Sequence, residues 1–558
     1  MHIKKIINIQ PTKYSAGTIL RWLWTAWKGN RLQATLNASI GLAEVAVSLS
    51  QVWAVKHAID VASGAAQGSI FYAVALMGLF ILSGFGLSIA AVWVRNILGV
   101  KAQNRMQQQM LSRILRAEWK GRESHHSGDV LNRLEIDVAN VVTFLTETIP
   151  NTLSVLALFL GAFFYLFSMD RMLAFITVAI IPVFLSLSKI YIVRMRRLTR
   201  TVRDSDSKVQ SVLQEAMQHR MLIKTLESEN EVVSRLENTQ SGLRRNVIKR
   251  TRFSVLSNFV LNSGFAFGYL VAFLWAAVRM SSHTLTFGGM TAFLQLVNKI
   301  QSPARNLAKL APAFVSVFTA AERLMELEEA PLDQQGQPQQ AQPPCGLRLD
   351  NVSYSYEDGT HCVIKNLSYD FRPGSCTAIL GETGAGKTTL IRLILALVKP
   401  TGGSIKIYDS NESMPLTPLT RCNFVYVPQG NTLMSGTIRD NLLLGDPKAT
   451  DSQMLDALKM SCADFVADLP DGLDTVCSEQ GGGLSEGQAQ RISIARGLLR
   501  NRPIMLFDEA TSALDCDTEM RLLRNILSGS GKTIIFVTHR EAVTQFCDQT
   551  LKITKIRS

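Results

Sequence analysis

Residues 377–395 read "TAILGETGAGKTTLIRLIL": a short apolar strand, then Gly381-x-x-x-x-Gly386-Lys387-Thr388, then a helical pattern. That order is the phosphate-loop signature in the context it requires. Glycines let backbone N–H groups point at phosphate, and the helix N-terminus that follows adds positive potential. The run Gly381, Glu382, Thr383, Gly384, Ala385, Gly386, Lys387, Thr388 and Thr389 is therefore expected to hold ATP. Lys387 is expected to bridge the β- and γ-phosphates, and the Thr388 hydroxyl to bind Mg²⁺.

Five further stretches bear on this reading. In "RPIMLFDEATSALD" (502–515) the apolar run Ile504–Phe507 predicts a strand buried on both faces. Asp508 at its end can hold a metal's water shell, and Glu509 can polarise an attacking water. Phosphoryl transfer needs mainly positioning and charge neutralisation, which these residue types supply. Alone, an Asp-Glu pair after a strand reads equally as a solvated strand end; the phosphate loop tips the balance. "KTIIFVTHR" (532–540) ends a third apolar strand at His539, and "FVYVPQG" (424–430) ends another at Gln429. Neither residue is informative by itself. Tyr356 in "VSYSYEDG" (352–359) shares a strand face with Val352 and Tyr354, as core or as a platform for a base. "GGGLSEGQAQR" (481–491) has no lysine and carries Glu486; alone it reads as a flexible loop before a helix.

Outward from these motifs the chain divides. Residues 346–558 alternate short strands with helices, whereas 1–330 carry long apolar runs. Between them, 331–345 are Pro- and Gln-rich and read as a linker. Six membrane spans are expected, at about 35–58, 70–94, 142–168, 172–193, 255–279 and 285–304, each near the ~20 residues a helix needs to cross. The fold class is a multidomain membrane protein: an all-α six-helix transmembrane domain followed by an α/β P-loop NTPase domain.

The formal net charge of +13 is unevenly placed. Arg95 to Arg133 and Arg194 to Arg252 bracket two long basic segments, while "ASGAAQGS" (62–69) and "SMDRM" (168–172) carry almost no charge. The positive-inside rule puts both termini and the long segments in the cytoplasm. It also accounts for much of the basic excess without nucleic acid, for which no motif is present. All eight cysteines lie from Cys345 onward with irregular spacing, as reduced cytosolic thiols would. The long segments are expected to run as helices past the membrane, with tips near 120–129 and 215–226. "TILRWLWTAWKGN" (18–30) mixes Trp, basic and apolar residues like an interfacial helix. Glu44, Ser48 and Gln51 share one face of span one; with Asn258, Asn262, Gln295 and Asn298 they either face a cavity or bond across helices. His125-His126 reads as a solvated loop.

The order of these motifs resembles an ATP-binding-cassette (ABC) exporter half-transporter over nearly the whole chain. The resemblance implies roles at matching positions. Tyr356 would stack on adenine, Gln429 would sense Mg²⁺ and the membrane domain, and Glu509 would be the catalytic base with His539 as switch histidine. Lys387 completes the catalytic set, and Thr388, Gln429 and Asp508 the metal set. "LSEGQ", with Ser485, Gly487 and Gln488, would be the signature that meets ATP bound to a second chain, and Asp515 would lie in the D-loop. The two tips would be coupling helices.

One Walker loop and one signature per chain imply a dimer, a homodimer first and a heterodimer with a degenerate partner as the alternative. The implied activity is ATP-driven export of a small molecule, lipid or peptide by alternating access, in the bacterial inner membrane. An ATP-gated channel or regulator on the same fold is the alternative. No peptidase-like domain precedes span one, which disfavours leader-cleaving peptide exporters. Glu486 departs from the family's commonest LSGGQ. A carboxylate facing phosphate at about 8 Å would cost roughly 2 kcal/mol at an effective dielectric near 20, so its side chain is expected to point away, and Ser485-x-x-Gln488 to form a capping box.

Overall fold

The structure, a computed structural model, describes residues 14–29, 31–119, 127–356, 362–477, 483–528 and 531–555. Most of the predicted tip at 120–129, with His125 and His126, lies outside these residues, as do Gly481 and Gly482. The chain forms two compact units: Met1–Leu111 with Gly128–Glu328, and Ser112–Ser127 with Glu329–Ser558.

Unit 1 is helical. Helix α1 (Ala16–Ala26) starts at Ser15, whose hydroxyl accepts a hydrogen bond from Thr18 N–H. It buries Ile19 and Leu23 and leaves Leu20 and Trp24 exposed. There follow α2 (Arg31–Ala62), α3 (Ile70–Leu115), α4 (Gly128–Met169), α5 (Arg171–Gln218), α6 (Arg220–Thr225), α7 (Glu229–Ser281) and α8 (Phe287–Glu329). Among the described residues α2, α3, α4 and α7 are long and apolar enough to cross a membrane. Helices α5 and α8 run through the fourth and sixth predicted spans. Two π-helical turns, Arg133–Asp137 and Phe144–Thr148, interrupt α4 as it enters span three.

Small side chains let these helices approach closely. Ala162 and Leu166 of α4, Val52 of α2, Ala276 of α7 and Phe293 of α8 make one buried cluster. In contrast, Leu79, Leu82, Phe85, Ile89 and Trp93 leave an exposed apolar stripe along α3. Such a continuous patch is costly in water and suits hydrocarbon. Two buried polar groups inside the bundle are paired: Asn37 Nδ2 donates to Thr146 O (2.7 Å), and Asp60 accepts from Gly288 N–H (3.2 Å). Asp170 caps α5, accepting from the N–H groups of Met172 and Leu173 at 3.0 Å, and meets Arg279 at 3.1 Å.

Unit 2 is built on two sheets. The antiparallel one has the order β2-β1-β4-β5, from β1 (Gly346–Ser355), β2 (Cys362–Phe371), β4 (Gly402–Tyr408) and β5 (Ser413–Pro415). The second has the order β11-β3-β10-β9-β6, from β3 (Cys376–Gly381), β6 (Phe424–Val427), β9 (Ile504–Asp508), β10 (Thr533–Val537) and β11 (Gln549–Ile553). Its pairings are parallel, with Val537 opposite Asp508, and β7 (Gly436–Thr437) pairs antiparallel with β8 (Val476–Cys477) in a separate short ribbon. Helices α9 (Lys387–Ile394), α10 (Ile438–Leu443), α11 (Asp451–Met460), α12 (Glu486–Arg500), α13 (Cys516–Leu527) and α14 (Glu541–Thr544) complete it. Alternation along β9 explains its unbroken apolar run. Ile504 and Leu506 pack with α9 and the antiparallel sheet, Met505 and Phe507 with α12 and α13.

The Pro/Gln-rich stretch runs along unit 2 as an ordered strap. Gln339 N–H bonds Leu419 O and Ala341 N–H bonds Asn423 Oδ1, both at 2.9 Å, and Asp333 pairs with Arg421 at 3.0 Å. Ala341 and Cys345 are buried in the core, so this polar composition still supplies two inward residues. The end of the α3 segment joins the same unit. Ala117 bridges Leu332, Glu118 N–H donates to Pro331 O (2.7 Å), and Lys399 meets the Glu118 carboxylate at 2.7 Å.

Candidate functional site

Strand β3 delivers the chain to Gly381, and α9 restarts it at Lys387. Gly384 (φ +81°) and Gly386 (φ +101°) take left-handed backbone that side chains rarely adopt. A Cβ at Gly386 would also come within 3.1 Å of Val363 Cγ1. The turn leaves Glu382, Thr383, Gly384 and Thr388 exposed and buries Ala385 and Thr389. The first N–H groups of α9 therefore open onto an exposed loop, the arrangement that binds anions.

Three predicted residues converge on one carboxylate. Lys387 Nζ donates to Gly381 O at 2.9 Å and lies 3.6 Å from Glu509 Oε1. His539 Nδ1 is 3.6 Å from the same oxygen, and Gln429 Nε2 donates to Glu509 Oε2 at 2.7 Å. Lys387 and Glu509 are 13% and 17% exposed, so this pair is weakly screened, whereas His539 is 62% exposed. Glu509 itself has φ +47°, a conformation that costs about 1–2 kcal/mol for an L-residue. Its N–H bond to Val537 O at 2.9 Å ties it to β10. Backbone strain held this way marks functional positions.

Asp508 accepts a hydrogen bond from Tyr426 Oη at 3.1 Å. Burial pushes its carboxyl above the usual range; the Tyr426 hydrogen bond opposes this, the Glu509 charge adds to it, and Lys387 opposes it. Two adjacent carboxylates thus share one ammonium. Among the described residues no hydrogen bond joins Thr388 to Asp508.

Helix α12 begins with the predicted capping box. Ser485 Oγ accepts from Gln488 N–H (3.2 Å), and Gln488 Oε1 accepts from Ser485 N–H (2.8 Å). Glu486 is exposed in its first turn, where the helix dipole favours an acid by about 0.3–1 kcal/mol. A Cβ at Gly487 would meet Ala513 O at 2.9 Å, so only glycine lets α12 lie this close to the 511–515 turn. Asp515 caps α13 by accepting from Thr518 N–H at 3.0 Å, which holds its carboxyl below the usual range. Tyr356 is half-buried. Its hydroxyl lies 3.0 Å from Thr389 Oγ1 and accepts from Arg392 Nη1 at 3.2 Å, while its ring meets Tyr354 edge-on.

Sequence reasoning missed the residues that hold these parts together. Buried Gln490 donates to Glu509 O (3.3 Å) and accepts from Ala513 N–H (3.2 Å), fixing α12 to the turn after β9. Arg540 donates to Ser512 O (2.7 Å), Leu514 O (3.2 Å) and buried Glu519 (2.9 Å). The only sequence signal was adjacency to a motif. Gln490→Leu is expected to lower the thermal stability of the protein by about 1–3 kcal/mol, because the half-buried Ala513 N–H and Glu509 O both lose their partner. A melting midpoint equal to that of the unaltered protein would refute this bridge.

In unit 1, Ser48 accepts a hydrogen bond from Lys299, a cation in span six; Lys299 makes no ion pair among the described residues. Glu44, Gln51 and Gln295 are partly buried, whereas Asn258, Asn262 and Asn298 are exposed. Asn258 Nδ2 donates to Ser254 Oγ at 3.4 Å.

A phosphate loop backed by two acidic residues at a parallel sheet, in a chain with membrane-spanning helices, defines a membrane-bound P-loop ATPase. Residues 38–303 match the family model for the ABC transporter transmembrane region, and 364–512 the one for the ABC transporter. The chain is 27% identical over 494 residues to an ATP-dependent lipid A-core flippase of Chromobacterium violaceum, covering 85% of this chain and 82% of that one. It is 30% identical over 433 residues to a Staphylococcus aureus protein named for multidrug export, an ATP-binding/permease protein, covering 76% and 75%. Its fold matches a bacterial Atm1-family ABC exporter with ATP bound, with a TM-score of 0.78, 22% identity and 95% of both chains covered. The chain belongs to the ABC transporter family and is an ATP-hydrolysing exporter.

Proposed function

We propose that two copies of this chain export an amphipathic small molecule, lipid or peptide by alternating access, with ATP sandwiched between the Walker loop of one copy and the signature of the other. Residues 1–330 serve as the membrane domain, 331–345 as the connection and 346–558 as the cassette, in the bacterial inner membrane. Two relatives, one named as a lipid A-core flippase and one for multidrug export, support such a cargo.

The carrying observation is the separation of the two half-sites. Among the described residues no hydrogen bond or ion pair links Ser485 or Gln488 to Lys387, Gln429, Asp508 or Glu509. The exposed start of α12, with its capping box satisfied, is open to a phosphate bound to the other copy. The exposed Met221 and Leu222 of α6 support that tip as a coupling element.

The residues present fit Mg²⁺, since Asp508 and Glu509 place two carboxylates against a single lysine. Thr388, Gln429 and Asp508 would hold the ion, which would neutralise phosphate charge. Lys387 draws the γ-phosphate toward Glu509, whose carboxylate accepts a proton from the attacking water. Gln429 orients that carboxylate, and His539 lies on its other oxygen. ADP and inorganic phosphate leave as the cassettes separate.

Complementation between chains tests the sandwich. A mixed dimer of Lys387→Ala and Ser485→Arg chains has one doubly defective site and one intact site if the halves meet across chains. It is expected to keep measurable ATPase activity while each pure variant has none. Silence of the mixed dimer alongside an active unaltered protein counts against the arrangement.

A further inference from the structure

Helix α1 and its neighbours enclose a cavity of about 310 Å³, in unit 1 and apart from the ATP site. Trp22, Trp27 and Lys28 line it from α1 and the turn after it, Arg105 and Met106 from α3, and Leu145 from the start of span three. The Trp27 indole N–H is buried and has no hydrogen-bond partner. Trp22 differs: its indole donates to Glu328 Oε2 at 2.6 Å. Glu328 is the sole acid in the lining among the described residues. Arg105 makes only a long bond to Gly29 O (3.4 Å), and neither it nor Lys28 forms an ion pair among the described residues.

Two cations and one orphaned donor thus border a space whose other walls mix apolar side chains with the polar groups of Thr25, Gln109, Thr146 and Glu328. Its place is the cytoplasmic membrane boundary. Leu20 and Trp24 are exposed on α1, Arg31 lies over the Trp24 ring at 4.7 Å, and α2 enters the bilayer directly afterwards. Tryptophan and basic side chains belong at that level. The volume sits at the lower end of small-molecule sites, roughly 300–1,000 Å³, enough for a headgroup but not for acyl chains.

We propose that this cavity binds the phosphate headgroup of an anionic phospholipid of the cytoplasmic leaflet, with Lys28 and Arg105 pairing with the phosphate and Trp27 Nε1 donating to it. Met106 and Leu145 contact the glycerol end. The site rests on the membrane placement of unit 1 and is independent of cargo and of the two-chain ATP sandwich.

The full-length protein in detergent is titrated with phosphatidylglycerol and with phosphatidylcholine, and retained lipid is counted by native mass spectrometry. The anionic lipid is expected to bind more tightly. Lys28→Glu with Arg105→Glu should weaken it by at least about fivefold per cation removed, leaving phosphatidylcholine unchanged. Trp27→Phe, which keeps the packing, should weaken it by about fivefold without lowering the melting temperature. Equal retention of phosphatidylglycerol by the unaltered protein and both variants overturns the site. Binding of free glycerol phosphate as tightly as the lipid also overturns it, because the ligand would then be a soluble phosphate ester.

Discussion

Glu509→Gln is expected to bind ATP at least as tightly as the unaltered protein and to hydrolyse it at least about 100-fold more slowly. A hundredfold loss corresponds to about 2.7 kcal/mol of barrier. The two effects have separate causes in the geometry. Glu509 Oε1 lies 3.6 Å from Lys387 Nζ in a weakly screened setting, so the carboxylate competes with phosphate for the ammonium. An amide removes that competition and cannot accept the proton of the attacking water. Glutamine takes the same left-handed backbone as glutamate, and its side chain can still reach Gln429, so stability should change little. Nucleotide binding and single-turnover hydrolysis on one preparation decide it. Turnover at the unmodified rate would remove Glu509 from the chemistry; weakened binding would contradict its competition with phosphate.

The second large effect is expected at Lys387. Its ammonium has two partners, the Gly381 carbonyl at 2.9 Å and the Glu509 carboxylate. Lys387→Ala strips the loop of the charge that reaches phosphate and leaves Glu509 repelling the nucleotide. Hydrogen bonds to charged groups contribute about 1.5–3 kcal/mol, so ATP affinity should fall by roughly 10- to 150-fold. Lys387→Ala with Glu509→Gln should recover part of that loss, because the repelling charge is gone. If the double variant binds no better than Lys387→Ala alone, the two side chains are not coupled as their distance indicates. Equilibrium ATP titration of the three proteins supplies the comparison.

Local order was legible where chemistry and periodicity coincide. The phosphate loop, the doubly buried β9 and the Ser485–Gln488 box depend on neighbours a few residues apart, and each stands where its spacing placed it. The convergence of Lys387, Gln429 and His539 on Glu509 depends on the strand order β3-β10-β9-β6, which brings four separate strand ends together. Motif order hinted at that meeting only through family resemblance. Gln490 and Arg540 were invisible because their partners are backbone carbonyls and N–H groups, which every residue carries. Lys299 was hidden by the apolar average of its span, and the two π turns of α4 leave no compositional trace. The strap at 331–345 looked like a tether because counting polar residues misses two well-placed small ones, Ala341 and Cys345.

That strap, with the end of α3, gives unit 2 a history as well as a shape. Ala117 leaves the ribosome before spans three to six are made, yet its bridging partner Leu332 follows all of them. One edge of unit 2 therefore waits, unpaired, while the chain from residue 117 to residue 332 is made. Its closure comes late, after the membrane helices have been inserted. A soluble fragment begun at residue 346 would never make that closure. It would lack Ala341 and Cys345 in its core and the Asp333 partner of Arg421. In this protein the cassette is discontinuous in the gene, and a single cut cannot release it whole.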